Sequence, residues 1–388
     1  MRTRASRLVL VGGGHSHVDV LRRLALKPEP DVDVTLISPS PRAAYSGMLA
    51  GFVAGHYSAA ESHIDLAALA QWAGVRFITD TVVGLDLYAK TLMLADGDVE
   101  PFDLLAIDAG STPDTSQVPG AGEHAIAVRP VPAFLAAWEA LRTDAADGKV
   151  DGIGVVGGGA GGVELLLAMQ HRLAAELGDA APRFALITDQ PHLLPDFPPA
   201  VRARFGTLLV ARDVVLHQNS GAIAVEPGTV ITTHQRRIAV DRIVWATSAA
   251  AQAWPAAAGL ACDARGFIRI DKTLRSPSHP FVFATGDCAT QDGHPTPKWA
   301  AFAIRQGPQL AANLRHALRR ESFATRVPPR HVLSLIATGG RHAVASRGPL
   351  VIEGDWVWRW KDRINRAYMA KYTLPETVEL ATLPPDEA

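Results

Sequence analysis

The chain has 388 residues, enough for two or three domains of roughly 100–200 residues each. Hydrophobic residues make up 48% of the chain, charged residues 20%, and the formal net charge is −1. This is the balance of an ordinary globular protein and indicates no nucleic-acid partner, while two cysteines exclude a disulfide framework and favour a reducing compartment.

The N-terminal residues 1–6 are short and basic, without the apolar region and cleavage site of a signal peptide. The longest uncharged stretch, residues 243–262, is mostly alanine and contains Pro255, so it does not predict a membrane-spanning helix. We therefore expect a cytoplasmic protein.

The first predicted unit is a buried strand, a glycine turn, a helix to about Leu26 and a second strand at residues 32–37. Its turn lies within RLVLVGGGHSHVDV, residues 7–20. Such a turn lets the backbone approach a pyrophosphate, and the helix N-terminus offers free N–H groups to the anion. Two substitutions are notable. His17 replaces the third glycine and should widen the helix–strand contact or point into the pocket, and Ser38 replaces the usual ribose-binding carboxylate.

The second predicted unit repeats this device at residues 152–169, GIGVVGGGAGGVELLLAM. Gly157, Gly159 and Gly162 complete a G-x-G-x-x-G, and a strand follows at residues 183–188. Asp189 then stands where a carboxylate would bind the 2′-hydroxyl of a ribose, which favours NAD over NADP. Two such motifs in strand–turn–helix context predict two dinucleotide sites.

With both motifs placed, the chain resembles the pyridine nucleotide–disulfide oxidoreductase superfamily of FAD-dependent enzymes. Four further segments match its motifs in order. They are residues 104–110 (LLAIDAG, with Asp108 and Ala109 replacing the usual residues), 243–248 (IVWATS, with Ser248 where glycine is common), 281–287 (FVFATGD) and 298–307 (KWAAFAIRQG).

The resemblance implies an α/β fold with two Rossmann-like domains and a small C-terminal α+β segment. FAD would be held by Gly12, Gly13, Gly14, Ser16, His17, Ser38, Pro39, Arg42, Val82, Ala109, Gly110, Gly286, Asp287, Lys298 and Ala301. NAD(P)H, with NADH favoured, would be held by Gly157, Gly159, Gly162, Glu164 and Asp189. The implied FAD domain is discontinuous, residues 1–115 and 250–325, with the NAD(P)H domain, residues 116–249, inserted.

A narrower resemblance is to a subgroup associated with selenophosphate synthetase. It is carried by GGGHSH (residues 12–17), YSGMLAG (45–51), SLIATGGRHAVASRG (334–348) and WVWRWKDRINRAYM (356–369). Type II NADH dehydrogenases and sulfide:quinone reductases are related groups of known chemistry. The subgroup links the chain to selenium metabolism without naming the electron acceptor.

The candidates for catalysis are Glu164, His17 and Tyr45. Glu164, at a position that lies near nicotinamide and flavin in type II dehydrogenases, could orient the carboxamide or relay a proton, or it is a helix-start carboxylate favoured by the dipole. His15 or His17 could carry a proton, and Tyr45 with Ser46 could cover the flavin or merely fill a loop. His15 and His17 could suggest a metal site, but no second pair has metal-ligand spacing and the phosphate turn already explains their position, so we expect no metal.

The cysteines do not form the close pair that disulfide reductases use. Cys262 and Cys288 are far apart in the sequence, and neither follows the first Rossmann unit. We interpret both as small buried residues. Electrons are therefore expected to leave the flavin directly to a small-molecule acceptor.

After about Thr325 the Rossmann pattern ends. Strands are predicted at residues 332–337 and 342–346, and a helix at 355–372. The residues of its apolar stripe recur at i+4: Trp356, Trp360, Ile364, Tyr368 and Tyr372. The stripe could pack on the chain, lie on the inner face of a membrane, or form a homodimer or other partner surface. The C-terminal segment, residues 326–388, is thus a cap, an interface or a membrane-surface element.

These features predict an FAD-dependent NAD(P)H oxidoreductase that passes a hydride to flavin and electrons to a quinone or a small selenium or sulfur compound. The alternative is a non-enzymatic flavin-bearing redox sensor or partner module. Rapid reoxidation by an acceptor would favour the enzyme, and a long-lived reduced flavin that changes partner affinity would favour the sensor.

Overall fold

The computed structural model describes residues 5–247, 249–329 and 331–374. Three parts of the predictions lie outside the described residues: residues 1–4 of the implied FAD domain, Ser248 of the second crossover segment, and residues 375–388 of the C-terminal segment. In the described residues, two five-stranded parallel sheets form the main framework, and smaller sheets of two or three strands accompany them.

The first parallel sheet carries the first glycine turn. In spatial order its strands are Val282–Ala284, Leu104–Ile107, Ser6–Val11, Val32–Ser38 and Arg76–Thr79. Leu10, in the central strand, stands opposite both Leu36 and Ala106, and all three are fully buried. Such apolar strands suit a parallel sheet covered on both faces. The late segment at 282–284 completes this sheet rather than a separate one.

The second parallel sheet carries the second glycine turn. Its strands are, in order, Ile126–Ala127, Arg242–Trp245, Gly152–Val156, Arg183–Ile187 and Val215–His217. The predicted α/β fold with two Rossmann-like units is therefore confirmed. The division into residues 1–115 with 250–325 and 116–249 stays a prediction, which the membership of the two sheets supports.

The glycine turns lead into helices His15–Leu26 and Ala160–Leu177. The other helices are Ser46–Val53, Ala59–Ser62, Leu66–Trp72, Ala121–His124, Val131–Ala146, Pro199–Ala211, Ala253–Ala257, Ala300–Arg319 and Asp355–Met369, with 3₁₀ turns at Gly178–Ala180, Gly286–Cys288 and Ala370–Tyr372. The small sheets comprise Arg42–Ala44 with His63–Asp65; Val82–Asp86 with Thr91–Leu94 and Val99–Pro101; Thr112–Pro113 with Ala249–Ala250; Ala222–Glu226 with Thr229–Thr232 and Arg237–Ala239; and Ile268–Ile270 with Ala289–Gln291.

The C-terminal segment is an antiparallel sheet followed by helix Asp355–Met369, here called the C-terminal helix. Its strands are Ser334–Ala337, Ala343–Arg347 and Leu350–Gly354. The first two strands and the helix match the predicted segments, while the third strand was not predicted. Within the described residues, no helix is both long and apolar enough to span a bilayer.

The C-terminal segment packs on both Rossmann-like units. Ile336 and Val344 belong to the hydrophobic core under the second parallel sheet. Tyr368 and Tyr372 belong to the core under the first. Because one segment contributes to both cores, it bridges the two units and lies over the face where their glycine turns are found.

Candidate functional site

Both glycine turns bring backbone close to backbone. Gly12 has φ +93°, and a Cβ there would lie 2.4 Å from the Asp108 carbonyl oxygen. Gly157 has φ +131°, and a Cβ there would lie 2.3 Å from the Ala246 carbonyl oxygen. An L side chain would be both strained and overlapping at either position. Each parallel sheet thus has the tight turn that dinucleotide binding requires.

The predicted FAD residues of the first turn lie together. Gly13 is packed against Leu66, and the Ser38 hydroxyl, which donates to the Ser40 carbonyl at 3.0 Å, is beside it. The Ser16 hydroxyl donates to the Ala303 carbonyl at 2.8 Å, which ties the first helix to Ala300–Arg319. Ser38 is the last residue of strand Val32–Ser38, and its contact with a ribose stays a prediction.

Other predicted FAD residues lie around this turn with different exposure. Pro39 and Arg42 are exposed beyond the second strand, and Val82 is buried at the start of Val82–Asp86. Ala301 lies in the first turn of Ala300–Arg319. The Lys298 ammonium donates to the Ala289 carbonyl and lies 3.9 Å from the Phe267 ring centroid. Burial lowers the pKa of Lys298.

An ion pair not predicted from the sequence joins the late FAD motif to the second unit. Arg129 donates to the Asp287 carboxylate at 2.7 Å and also to the Ser111 hydroxyl. The Gly286 N–H donates to the Gln306 side chain at 2.8 Å, which fixes the turn before Asp287. Arg129 therefore holds the carboxylate that the resemblance assigns to the ribityl chain.

His15, rather than His17, contacts the predicted covering residues. Its Nε2 lies 2.9 Å from the Ser46 hydroxyl, and its ring packs edge-on against Tyr45 with centroids 5.5 Å apart. The fully buried His17 ring instead turns back to the Gly12 carbonyl, with Nδ1 2.7 Å from that oxygen. These contacts favour His15 over His17 as a proton carrier.

Burial keeps the side chains of His15, His17 and Tyr45 uncharged near neutral pH. It lowers the pKa of His15 and of His17 to about 4 and raises the pKa of Tyr45 to about 12. Tyr45 stacks on Tyr368 of the C-terminal helix at 4.4 Å between centroids. Tyr45 is therefore packed against the C-terminal helix, and its role in covering the flavin stays a prediction.

In the second unit, the predicted nucleotide residues lie at the glycine turn, in the first turn of the following helix and just beyond the next strand. Gly159 precedes helix Ala160–Leu177 and faces open space, whereas Gly162 packs on the Gly157 carbonyl. Asp189 is exposed two residues beyond strand Arg183–Ile187. An exposed carboxylate at this place can accept from a ribose hydroxyl.

Glu164 joins the second turn to the C-terminal segment. Its carboxylate accepts from the Ala337 N–H at 2.7 Å and forms an ion pair with Lys361 of the C-terminal helix. Both side chains are largely buried, at 20% and 13% exposure. Glu164 is thus a bridging residue as well as a candidate for catalysis.

The described residues fit the two dinucleotides. Beyond the close approaches at Gly12 and Gly157, polar atoms are buried without a partner: His15 Nδ1 and Thr285 Oγ1 near the first turn and Thr247 Oγ1 near the second. A Cβ at Gly110 or Gly159 would meet nothing within 4 Å. Open space and unpaired polar groups at glycine turns are suited to a polar cofactor.

The cysteines are both free, Cys262 half-buried and Cys288 buried. The Cys288 thiol donates to the Thr285 carbonyl at 3.1 Å, and burial raises its pKa to about 12. A thiol held in this form is a poor nucleophile. Across residues 5–247, 249–329 and 331–374, no cluster of three or more His, Cys, Asp or Glu side chains could hold a metal ion.

The sequence did not predict four contacts of this site. They are made by Asp108 with Ser16, Arg129 with Asp287, Lys361 with Glu164 and Tyr368 with Tyr45. Asp108 left one signal, since it replaces an ordinary residue of the crossover segment. Arg129 and Lys361 left none, because each meets its carboxylate partner across more than 150 residues of chain.

Known proteins share this architecture. Residues 6–311 match the family described as pyridine nucleotide-disulphide oxidoreductase. NADH dehydrogenase-like protein YutJ of Bacillus subtilis is 24% identical over 92% of this chain and 98% of its own length. The type II NADH:quinone oxidoreductase of Haemophilus influenzae is 28% identical over 42% of this chain and 39% of its own.

Solved structures share the fold. The sulfide:quinone oxidoreductase of Aquifex aeolicus superposes with a TM-score of 0.79 at 19% identity, covering 95% of this chain and 91% of that one. NDH2 of Plasmodium falciparum in complex with NADH also gives 0.79, at 14% identity, covering 95% and 98%.

Proposed function

Because the chain belongs to the pyridine nucleotide-disulphide oxidoreductase family, with which it aligns over residues 6–311, we propose that it is an NAD(P)H dehydrogenase that reduces an external acceptor through FAD. Membership in the family confirms the predicted oxidoreductase class and the predicted cofactor classes, FAD and NAD(P)H. The non-enzymatic sensor hypothesis is thereby disfavoured.

The bridging of both glycine turns by one C-terminal helix carries this proposal. Lys361 pairs with Glu164 at the second turn, and Tyr368 stacks on Tyr45 near the first. Flavin and nicotinamide supply the hydride chemistry when bound. The chain contributes their orientation.

The residues that would serve the chemistry are Glu164, Tyr45 and His15. Glu164, which is held by Lys361, orients groups at the second glycine turn. The neutral His15 ring has an unpaired Nδ1 and can accept or pass a proton near the first glycine turn. The exposed Asp189 supports NADH as the donor, since a carboxylate there repels a 2′-phosphate.

The acceptor is proposed to be a small molecule, either a quinone or a selenium or sulfur compound. The names of the relatives support a quinone. The 12–17, 45–51, 334–348 and 356–369 motifs support the subgroup associated with selenophosphate synthetase. Exposed Trp356, Trp360 and Ile364 support peripheral contact with the inner face of a membrane, with homodimerisation through the same helix as the alternative.

An anaerobic titration tests the function. The purified protein is mixed with NADH and, separately, with NADPH while its visible flavin absorption is followed. We expect prompt bleaching, faster with NADH, and recovery of colour when a short-chain quinone is added. A bound flavin that stays oxidised with both nucleotides would rule out the dehydrogenase.

A further inference from the structure

Asp108 places a buried carboxylate at the N-terminus of the first phosphate-binding helix. It follows strand Leu104–Ile107 and is only 3% exposed. Its Oδ2 accepts from the Ser16 N–H at 2.8 Å. Gly14, which precedes helix His15–Leu26, provides no side-chain cap. Asp108 therefore caps this helix from a distant part of the chain.

Glycines of both flavin motifs make room for this carboxylate. A Cβ on Gly14 would lie 2.2 to 2.3 Å from the carboxyl atoms of Asp108. A Cβ on Gly286 would lie 2.3 Å from its Oδ1. Asp108 thus lies between the glycine turn and the Gly286–Asp287 motif, where the helix N-terminus must also receive the pyrophosphate of the proposed FAD.

Two anions cannot share these N–H groups without cost. In a buried site, a carboxylate next to a pyrophosphate is destabilised by repulsion between the two negative charges. A neutral carboxylic acid can instead donate a hydrogen bond to a phosphate oxygen. Resting on the proposed function, we propose that Asp108 binds the FAD pyrophosphate as a protonated acid, so that FAD binding takes up one proton.

The surroundings of Asp108 favour the protonated form. Burial and the charge of Asp287 raise the pKa of Asp108 to about 7, against the N–H bonds of Ser16 and His17 that lower it. Bound pyrophosphate would raise it further.

The other titratable groups near Asp108 leave it as the proton acceptor near neutral pH. His15 and His17 on the helix have pKa values lowered to about 4, and the pKa of the Cys288 thiol is raised to about 12. Arg129 is paired with Asp287, and Lys298 adds a cation whose pKa burial lowers.

Calorimetry measures the proton directly. FAD is titrated into apoprotein prepared from the full chain, at about pH 8 and about pH 6, in two buffers of different ionisation enthalpy. We expect an uptake of about 0.9 proton per FAD at the higher pH and about 0.1 at the lower, since free Asp108 is then mostly ionised or mostly protonated. FAD affinity should weaken about tenfold per pH unit above the pKa of free Asp108.

Asp108→Asn and Asp65→Asn form a matched pair. Asparagine at 108 stays neutral and keeps a donor, so its FAD affinity should lose the pH dependence and the proton uptake. Asp65 also caps a helix, accepting from the Ala68 N–H at 2.9 Å, and Asp65→Asn should behave as wild type. Proton uptake by the wild type is informative even if Asp108→Asn does not fold.

The outcomes separate the two proposals. FAD binding by the wild type without proton uptake, or uptake that persists in Asp108→Asn, would overturn the role of Asp108 alone. Failure of FAD to bind at any pH would contradict the proposed function and this inference with it.

Discussion

At the scale of single residues, the site depends on buried polar groups that have few partners. Glu164 accepts from the Ala337 N–H and pairs with Lys361, and both members of the pair are largely buried. Removing one member of such a pair leaves the other charge desolvated, whereas neutralising both is better tolerated. The pair is therefore sensitive to single substitutions.

We expect Lys361→Met to lower the free energy of unfolding by about 2–3 kcal/mol. Glu164→Gln, which keeps an acceptor for Ala337, should cost less, and the double variant should cost less than the sum of the two. Urea denaturation of the four proteins measures this coupling. Additive effects would show that the two charges do not interact.

The buried His17 makes stability depend on pH. The pKa of His17 is lowered to about 4 in the folded protein, against about 6.5 when unfolded. The unfolded chain therefore binds more protons between these values, so the stabilisation is present above about pH 6.5 and is lost as pH falls towards about 4.

His17→Gln should reduce the slope of unfolding free energy against pH in this window by up to about 1.4 kcal/mol per pH unit. The exposed His192 supplies a control, since His192→Gln should leave the slope unchanged. Urea denaturation at about pH 7, 6 and 5 gives the comparison. An unaltered slope in His17→Gln would mean that folding does not change the proton affinity of His17.

At the scale of elements, the C-terminal helix divides the apolar stripe predicted from its sequence. Tyr368 is buried against Tyr45, and Tyr372 is also buried, while Trp356 and Trp360 stack on each other in solvent at 50% and 36% exposure. Helix packing thus accounts for one end of the stripe. The exposed end, beside Arg359 and Arg363, is suited to a lipid interface.

The double variant Trp356→Ser with Trp360→Ser should reduce binding to anionic vesicles more than tenfold, at roughly 1.5 kcal/mol or more per tryptophan. Its unfolding free energy should change little, because both rings are exposed. Val210→Ser, a change of similar exposure on helix Pro199–Ala211, is the control and should bind vesicles normally. Unchanged vesicle binding by the double variant would favour the homodimer or another partner surface.

At the scale of the whole molecule, two similar units carry the glycine turns of the proposed FAD and NAD(P)H sites. Gly12 and Gly157 occupy equivalent turns, each with positive φ and with backbone where a Cβ would stand. Because the turns belong to separate sheets, damage to one site should leave the other able to bind.

We therefore expect Gly12→Ala to lose FAD while still binding NADH, and Gly157→Ala to keep FAD that NADH no longer reduces. Each should lower stability by at least about 2 kcal/mol. Gly206→Ala, inside helix Pro199–Ala211 with nothing within 4 Å of its Cβ, is the neutral control. Flavin absorption and NADH fluorescence report the two sites. Loss of both ligands in either variant would indicate a single coupled site.

Sequence patterns alone were enough to predict the two Rossmann-like units, their glycine turns and most of the C-terminal segment. These follow from local patterns: short β-branched strands, glycines at set spacing and a helical period. Sequence patterns also placed Ser38, Asp189 and Glu164, since each lies at a fixed offset from a strand or turn.

The packing of distant segments sets which side chains meet around those turns. Asp108 reaches the Ser16 N–H across 92 residues, and Lys361 reaches Glu164 across 197. This packing likewise turns His17 towards Gly12 and His15 towards Tyr45. Contacts between distant segments depend on how sheets and helices pack in three dimensions, and no local period in the chain encodes them.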